Sequence, residues 1–207
     1  MPDIAAAGLD VFYPIVPDAS WMARIVPLGV RVVQLRLKDA SPEEVRSQIR
    51  DCIAIAQRHC CQLIVNDYWQ AAIEEGANYI HLGQEDLAAA DLSAIKAAGL
   101  RLGVSTHDEA ELEVALAAQP DYVALGPIYE TKLKAMKWAP QGLERIAQWR
   151  RRVGRLPLVA IGGITPELAG GVLAAGASSV AVITDYITHP EPEQRIRTWL
   201  GWARPAL

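Results

Sequence analysis

Eight short runs rich in Val, Ile, Leu and Tyr, at about 11–16, 31–36, 62–66, 78–82, 100–104, 121–125, 157–161 and 178–183, alternate with alanine-rich segments along the whole chain. Near-continuous apolarity over four to six residues marks strands covered on both faces, which is the situation in a parallel sheet. Parallel neighbours need a crossover segment, normally a helix, so repeated strand-helix alternation predicts an α/β fold. Eight countable strands favour a closed (β/α)8 TIM barrel over an open doubly wound sheet, which would use fewer. The chain has 207 residues, 51% of them hydrophobic, enough for one domain spanning 1–207.

The intervening segments carry helix punctuation. In Ser41-Pro42-Glu43-Glu44, Ser41 suits the cap, Pro42 the first helical position and Glu44 the capping box. Val45, Ile49, Cys52, Ile53 and Ala56 then fall on one face. Thr165-Pro166-Glu167 opens a second helix, and Thr106-His107-Asp108-Glu109 opens one that runs through Leu112 and Leu116. Gly76, Gly99 and Gly176 stand where helices should stop. Trp149, Trp199 and Trp202 suit helix packing. The longest stretch without periodicity, Pro127 to Gly142, follows the sixth strand and is expected to be a mobile lid.

A formal charge of −4 and a pI near 5.6 give no overall attraction to nucleic acid or an anionic membrane, so anion binding has to be local. Cys52, Cys60 and Cys61 form neither a disulfide framework nor a metal-ligand spacing. With no basic segment leading into an apolar one, and no run of about 18 apolar residues, a cytoplasmic location is expected.

Chemistry-bearing residues gather at the ends of the apolar runs, where a (β/α)8 barrel places its active site. In Gln34-Leu35-Arg36-Leu37-Lys38, strand alternation puts Gln34, Arg36 and Lys38 on one face and Leu35 and Leu37 on the other. The two cations suit phosphate oxygens; the plain alternative is a solvated strand end. Asp67 ends the third run and Asp86 follows the fourth. Either alone suits a turn or cap, but together, beside Arg36 and Lys38, they describe a site for Mg²⁺ and diphosphate. Gly162-Gly163 and Ile183-Thr184 end runs seven and eight, where barrels bind phosphate through backbone amides; tight turns require glycine as well. His81 and His107 lie near the same rim, each suited equally to a core or cap role and to catalysis.

Taken together, Gln34 to Lys38, Val65-Asn66-Asp67, His81 to Asp86, Gly103-Val104-Ser105, Gly126-Pro127-Ile128-Tyr129 and Ala160 to Ile164 resemble the thiamine-phosphate synthase (thiamine-phosphate pyrophosphorylase) family. The resemblance runs from about Tyr13 to Thr188. It implies a cytoplasmic transferase of thiamine biosynthesis that couples hydroxymethylpyrimidine diphosphate to hydroxyethylthiazole phosphate and releases diphosphate, with Mg²⁺ as cofactor. It implies that Gln34, Arg36, Lys38, Asn66, Ser105 and Lys134 contact the pyrimidine diphosphate, with Leu35 and Leu37 in the same substrate-binding segment. Arg36, Lys38, Ser105 and Lys134 are the expected catalytic group, and Asp67 and Asp86 the metal ligands. Thr131, Lys132, Leu133, Gly162, Gly163, Ile183 and Thr184 are expected to receive the thiazole phosphate.

The chain departs from the family pattern in places. Leu133 stands where the lid usually has a second threonine, Glu130 often has proline in its place, and Asp185 is unusual beside the phosphate end. Two other readings follow from the residues: a thiazole tautomerase using His107, and a non-catalytic protein that binds thiazole phosphate. Partners are expected to be small molecules, without nucleic acid or membrane, and a homo-oligomer is left open.

Overall fold

The computed structural model describes residues 4–130 and 138–204. Its strands are β1 (Phe12–Val16), β2 (Val32–Leu35), β3 (Gln62–Asn66), β4 (Tyr79–Leu82), β5 (Arg101–Thr106), β6 (Tyr122–Leu125), β7 (Leu158–Ile161) and β8 (Ser179–Val182). Each pairs in parallel with its neighbours in chain order, and β8 returns to β1, closing the barrel. Every expected run holds its strand. The helices are α1 (Ala19–Ile25), α2 (Pro42–Arg58), α3 (Trp69–Glu75), α4 (Gln84–Ala89), α5 (Leu92–Ala97), α6 (Glu109–Ala117), α7 (Gly142–Val153), α8 (Pro166–Ala174), α9 (Thr184–Ile187) and α10 (Pro192–Ala203). Among the described residues, no helix is long and apolar enough to cross a membrane.

The expected punctuation is visible at the helix ends. The Ser41 hydroxyl accepts from the Glu44 amide at 3.3 Å with Pro42 in the first turn of α2. Gly76 and Gly99 follow their helices with φ of 79° and 72°, a conformation that costs a residue with a Cβ about 1 kcal/mol or more. One start is shifted. β5 continues to Thr106, and Asp108 rather than Thr106 caps α6 by accepting from the Glu111 amide. The Thr106 hydroxyl is used sideways: it donates to the Ala124 carbonyl and accepts from the Trp149 indole, both at 2.9 Å.

Strand alternation sorts side chains into two cores. Val33, Leu35, Val65, Leu82 and their counterparts pack outward against the helices, while Tyr13, Ile15, Val32, Ile64, Tyr79, Tyr122 and Ala124 fill the barrel. The uppermost inward positions divide the mouth in two. Gln34, Asn66, His81 and Ser105 line the β2–β5 side, whereas Ile15, Ala124, Ile161 and Ile183 line the rest.

Gly103 makes room inside. A Cβ there would lie 2.1 Å from Tyr122 Cζ and 2.6 Å from its hydroxyl, so the ring occupies the space a side chain would take. Gly103→Ala is expected to destabilise the fold by about 1–3 kcal/mol through overpacking. Urea unfolding checks this; an unchanged midpoint would show that the ring moves aside freely.

Candidate active site

The polar half of the mouth is built by four consecutive strand ends, β2 to β5. Asn66 closes β3, and its side-chain amide donates to the carboxylate of Asp67. Asp67 turns the chain with φ 65°, a left-handed conformation that Asp adopts more readily than most residues, and its amide donates to the His81 carbonyl at 2.9 Å. Asp86 lies in the first turn of α4 with its carboxylate close over Gly83, where a Cβ would sit 3.4 Å from Oδ2. Burial, reinforced by the charge of Asp86 and a hydrogen bond to it, pushes the Asp67 carboxyl up to about 6; Arg36 and Asn66 oppose the rise. The neighbouring Asp86 charge therefore disfavours ionisation of Asp67 across a half-buried gap. Such a pair, with Arg36 alongside, suits a hard divalent cation that takes one or two carboxylates and completes its shell with water and phosphate oxygens. Among the described residues, no cluster of three or more His, Cys, Asp or Glu side chains is arranged for a metal.

Behind this rim lies a continuous chain of hydrogen bonds through the barrel. Gln34 Nε2 donates to the Tyr13 hydroxyl at 2.8 Å, and the Tyr13 and Tyr122 hydroxyls are 2.9 Å apart. The Tyr122 hydroxyl is 2.7 Å from His81 Nδ1, and His81 Nε2 is 2.8 Å from Ser105 Oγ. Burial, aided by the Arg36 charge, lowers the His81 pKa to about 4, so the imidazole is neutral near pH 7. Gln34, His81, Tyr13 and Tyr122 are all buried.

The apolar half ends at the expected phosphate cradle. Gly162 and Gly163 have φ of 102° and 65°. A Cβ on Gly162 would meet Pro127 Cα at 2.7 Å, and one on Gly163 would meet the Glu130 carbonyl at 2.3 Å. Both glycines are thus required by the loop after β6, which pairs with them through Ile128 N to Ile161 O at 2.9 Å and Tyr129 N to Gly162 O at 3.0 Å. The base of the expected lid is clasped as well. Gln141 N donates to Pro127 O at 2.8 Å, Gly142 N to Ile128 O at 3.0 Å, and Gln141 Nε2 to the His107 carbonyl at 2.6 Å.

Asp185, in the first turn of α9, is occupied by its own helix layer. Arg195 of α10 grips it through Nε and Nη2, each at 2.8 Å, and the Trp199 indole donates to it at 2.8 Å. The same guanidinium holds Glu167, in the first turn of α8, at 3.2 Å through two nitrogens, and with Thr165 keeps that carboxyl down at about 2. The Asp185 charge is therefore offset on the spot and directed toward Arg195. Arg195→Met would strand a carboxylate that is only 12% exposed, and is expected to cost about 1–3 kcal/mol in urea unfolding. Asp185→Asn, which keeps shape and the indole partner, should cost less; equal losses would contradict the clamp.

Other expected residues fall as follows. Leu35 and Leu37 belong to the outer core, so any ligand contact they make comes from the main chain. Arg36 is half-buried with its amide bonded to Val16 O, and Lys38 is exposed. Ile183 and Thr184 cap and open α9. Thr131, Lys132, Leu133 and Lys134 lie outside the described residues, as does the middle of the expected lid. His107, directly after β5, bonds Glu111 Oε2 through Nδ1 at 2.7 Å and stacks on Trp138 with ring centres 5.6 Å apart. Tyr13, Tyr122, Gln141 and Arg195 were not singled out from sequence. The inward parity of Tyr122 with Ala124, opposite Gly103 and Ser105, was the signal that could have exposed the first two.

The sequence profile described as thiamine monophosphate synthase matches residues 13–186. A protein of Rhizobium etli named thiamine-phosphate synthase is 61% identical over 197 residues, covering 95% of this chain and 97% of its own. The protein of the same name in Klebsiella pneumoniae is 52% identical over 172 residues, covering 83% and 82%. Among solved structures, thiamine phosphate pyrophosphorylase from Pyrococcus furiosus superposes with a TM-score of 0.83 at 22% identity, covering 96% of this chain and 97% of that one, which supports the shared barrel.

Proposed function

The chain belongs to the thiamine monophosphate synthase family, and from that premise we propose that it joins hydroxymethylpyrimidine diphosphate to hydroxyethylthiazole phosphate with release of diphosphate. It is a transferase that forms thiamine phosphate. The observation that supports the detailed reading is the Asp67–Asp86 carboxylate pair beside Arg36, at the polar half of the barrel mouth.

Asp67 and Asp86 would hold Mg²⁺, which when bound supplies positive charge against the departing diphosphate. Arg36 and Lys38, with Lys134 by the family resemblance, would meet the remaining phosphate charge as the methylene carbon-oxygen bond breaks. Gln34, Asn66 and Ser105 would orient the pyrimidine, whose electron-rich ring supports the cationic methylene carbon until the thiazole nitrogen attacks. The backbone around Gly162, Gly163, Ile183 and Thr184, together with Thr131, Lys132 and Leu133, would seat the thiazole phosphate and align that nitrogen. Gly163 and Thr184 follow the adjacent strands β7 and β8 on the apolar half of the mouth, so the thiazole phosphate would sit on that half and the diphosphate on the polar half. The substrates are small molecules in this reading, and the cytoplasm is the expected compartment.

The thiazole tautomerase reading gains nothing from the position of His107, whose Nδ1 is bonded to Glu111. The direct experiment is to incubate the purified protein with both substrates and Mg²⁺ and to look for thiamine phosphate by mass spectrometry. Product that disappears with a chelator is expected. Undiminished product in the chelator would overturn the metal reading, and absence of product with Mg²⁺ would overturn the substrate assignment.

A further inference from the structure

We propose that Gln84 is a positioning residue for the pyrimidine diphosphate: its side-chain amide replaces a missing rung between β4 and β5 and thereby sets where Ser105 presents its hydroxyl. The inference rests on the reading above that Ser105 touches that substrate.

The missing rung follows from the strand register. Tyr79 to Leu82 pair in parallel with Arg101 to Val104, and the Arg101 amide donates to the Asn78 carbonyl at 3.0 Å. In a parallel ladder each residue of this set donates to the residue before its partner and accepts from the residue after it. The rungs therefore fall on the odd-numbered residues of β5, and the Ser105 carbonyl is due the main-chain amide of residue 84. The sheet stops short of it. β4 ends at Leu82, Gly83 caps α4 with φ −74° and ψ 173°, and the chain turns into the helix at Gln84. Gln84 Nε2 donates instead, reaching the Ser105 carbonyl at 2.6 Å. The residue whose main chain leaves the sheet thus sends its side chain back to complete it, and a buried carbonyl keeps a partner.

Ser105 is held at two points as a result. His81 Nε2 lies 2.8 Å from its hydroxyl, and Gln84 fixes its carbonyl. Gln84 Nε2 is also 3.5 Å from the Glu111 carbonyl in the first turn of α6, and the Glu111 carboxylate accepts from the His107 amide at 2.7 Å. The segment from Ser105 to Glu111 is therefore tied at both ends. Both acceptors of Gln84 are main-chain carbonyls, so it acts on the scaffold and reaches the ligand through Ser105. Gln84 also opens the turn that carries Asp86, so one side chain relates the serine to the carboxylate read as a metal ligand. Displacing a substrate contact by about 1 Å is enough to cost much of its effect.

Gln84→Met keeps the length of the side chain and removes the donor. The expected result is about a tenfold rise in KM for the pyrimidine diphosphate, with little change in KM for the thiazole phosphate. Made in a Ser105→Ala background, the same substitution should add no further rise, because the hydroxyl it positions is gone. Gln84→Asn keeps the amide but withdraws it by one carbon, and should match Gln84→Met. Unchanged KM in either Gln84 variant, with or without a loss of thermal stability, would show a structural tie alone and overturn the proposal. So would equal rises for both substrates, or a full further rise in the Ser105→Ala background, which would show that Gln84 meets the ligand itself. Ser105→Ala without effect on KM for the pyrimidine diphosphate would instead overturn the substrate contact on which the proposal rests.

Discussion

Asp67→Asn should lose at least about a hundredfold in turnover while making the metal-free protein more stable at pH 7.5. The activity loss follows from removing one of two carboxylates that hold the cation and thereby weakening charge stabilisation on the leaving group, an effect of several kcal/mol in comparable sites. The stability gain follows from linkage. The Asp67 carboxyl is raised from 3.8 to about 6 by burial and by Asp86, so the folded protein holds this proton more tightly than the unfolded chain. Its stabilising contribution is complete below about pH 4 and is lost as the pH rises through 6. Above that, ionising the acid without a cation costs about 1–3 kcal/mol, discounted for partial solvation. Asparagine removes the charge and keeps the acceptor for Asn66. Urea unfolding at pH 7.5 and at pH 4 checks the sign: the gain should be present at the higher pH and vanish at the lower. Asp86→Asn should lose activity similarly, and full activity in both variants would refute the metal assignment.

Arg36→Met should lower kcat/KM for the pyrimidine diphosphate by about ten- to a hundredfold, the range of a charge-assisted phosphate contact. It should also move the acid limb of the rate profile to higher pH. Arg36 is the cation that holds Asp67 toward its ionised form, so without it the carboxyl keeps its proton to a higher pH and the cation site forms later in a titration. A pH-rate profile that drops in height with its acid limb unmoved would show that Arg36 acts on the substrate alone. The two effects separate phosphate binding from preparation of the carboxylates.

The barrel was legible because strand burial on both faces leaves a direct trace in sequence, an apolar run bounded by turn residues. Strand ends were legible for the same reason, and Gln34, Asp67, Asp86 and Ser105 could be placed at one rim by counting runs. Alternation also sorted Leu35 and Leu37 away from Gln34, as the outer core confirms. What sequence could not show were partners brought together by closure of the barrel. Tyr13 and Tyr122 are 109 positions apart and meet only because β1 and β6 face each other across the interior. Arg195 reaches Asp185 and Glu167 from a helix whose docking no local pattern specifies. The α6 start was misplaced because Thr106 is both a good cap residue and a good strand residue, and tertiary bonds to Ala124 and Trp149 decided in favour of the strand. Asp185, which looked misplaced beside a phosphate, proved to be the acceptor of an arginine and an indole.

The most direct measurement is calorimetric titration of magnesium diphosphate into the wild-type protein and into Asp86→Asn, at pH 7.5. Binding that is clear in the wild type, needs Mg²⁺, and weakens at least about tenfold in the variant is the predicted result. Equal affinity in the two proteins, or undiminished diphosphate binding in a chelator, would contradict the claim that these paired acids and Arg36 form the seat of the leaving group.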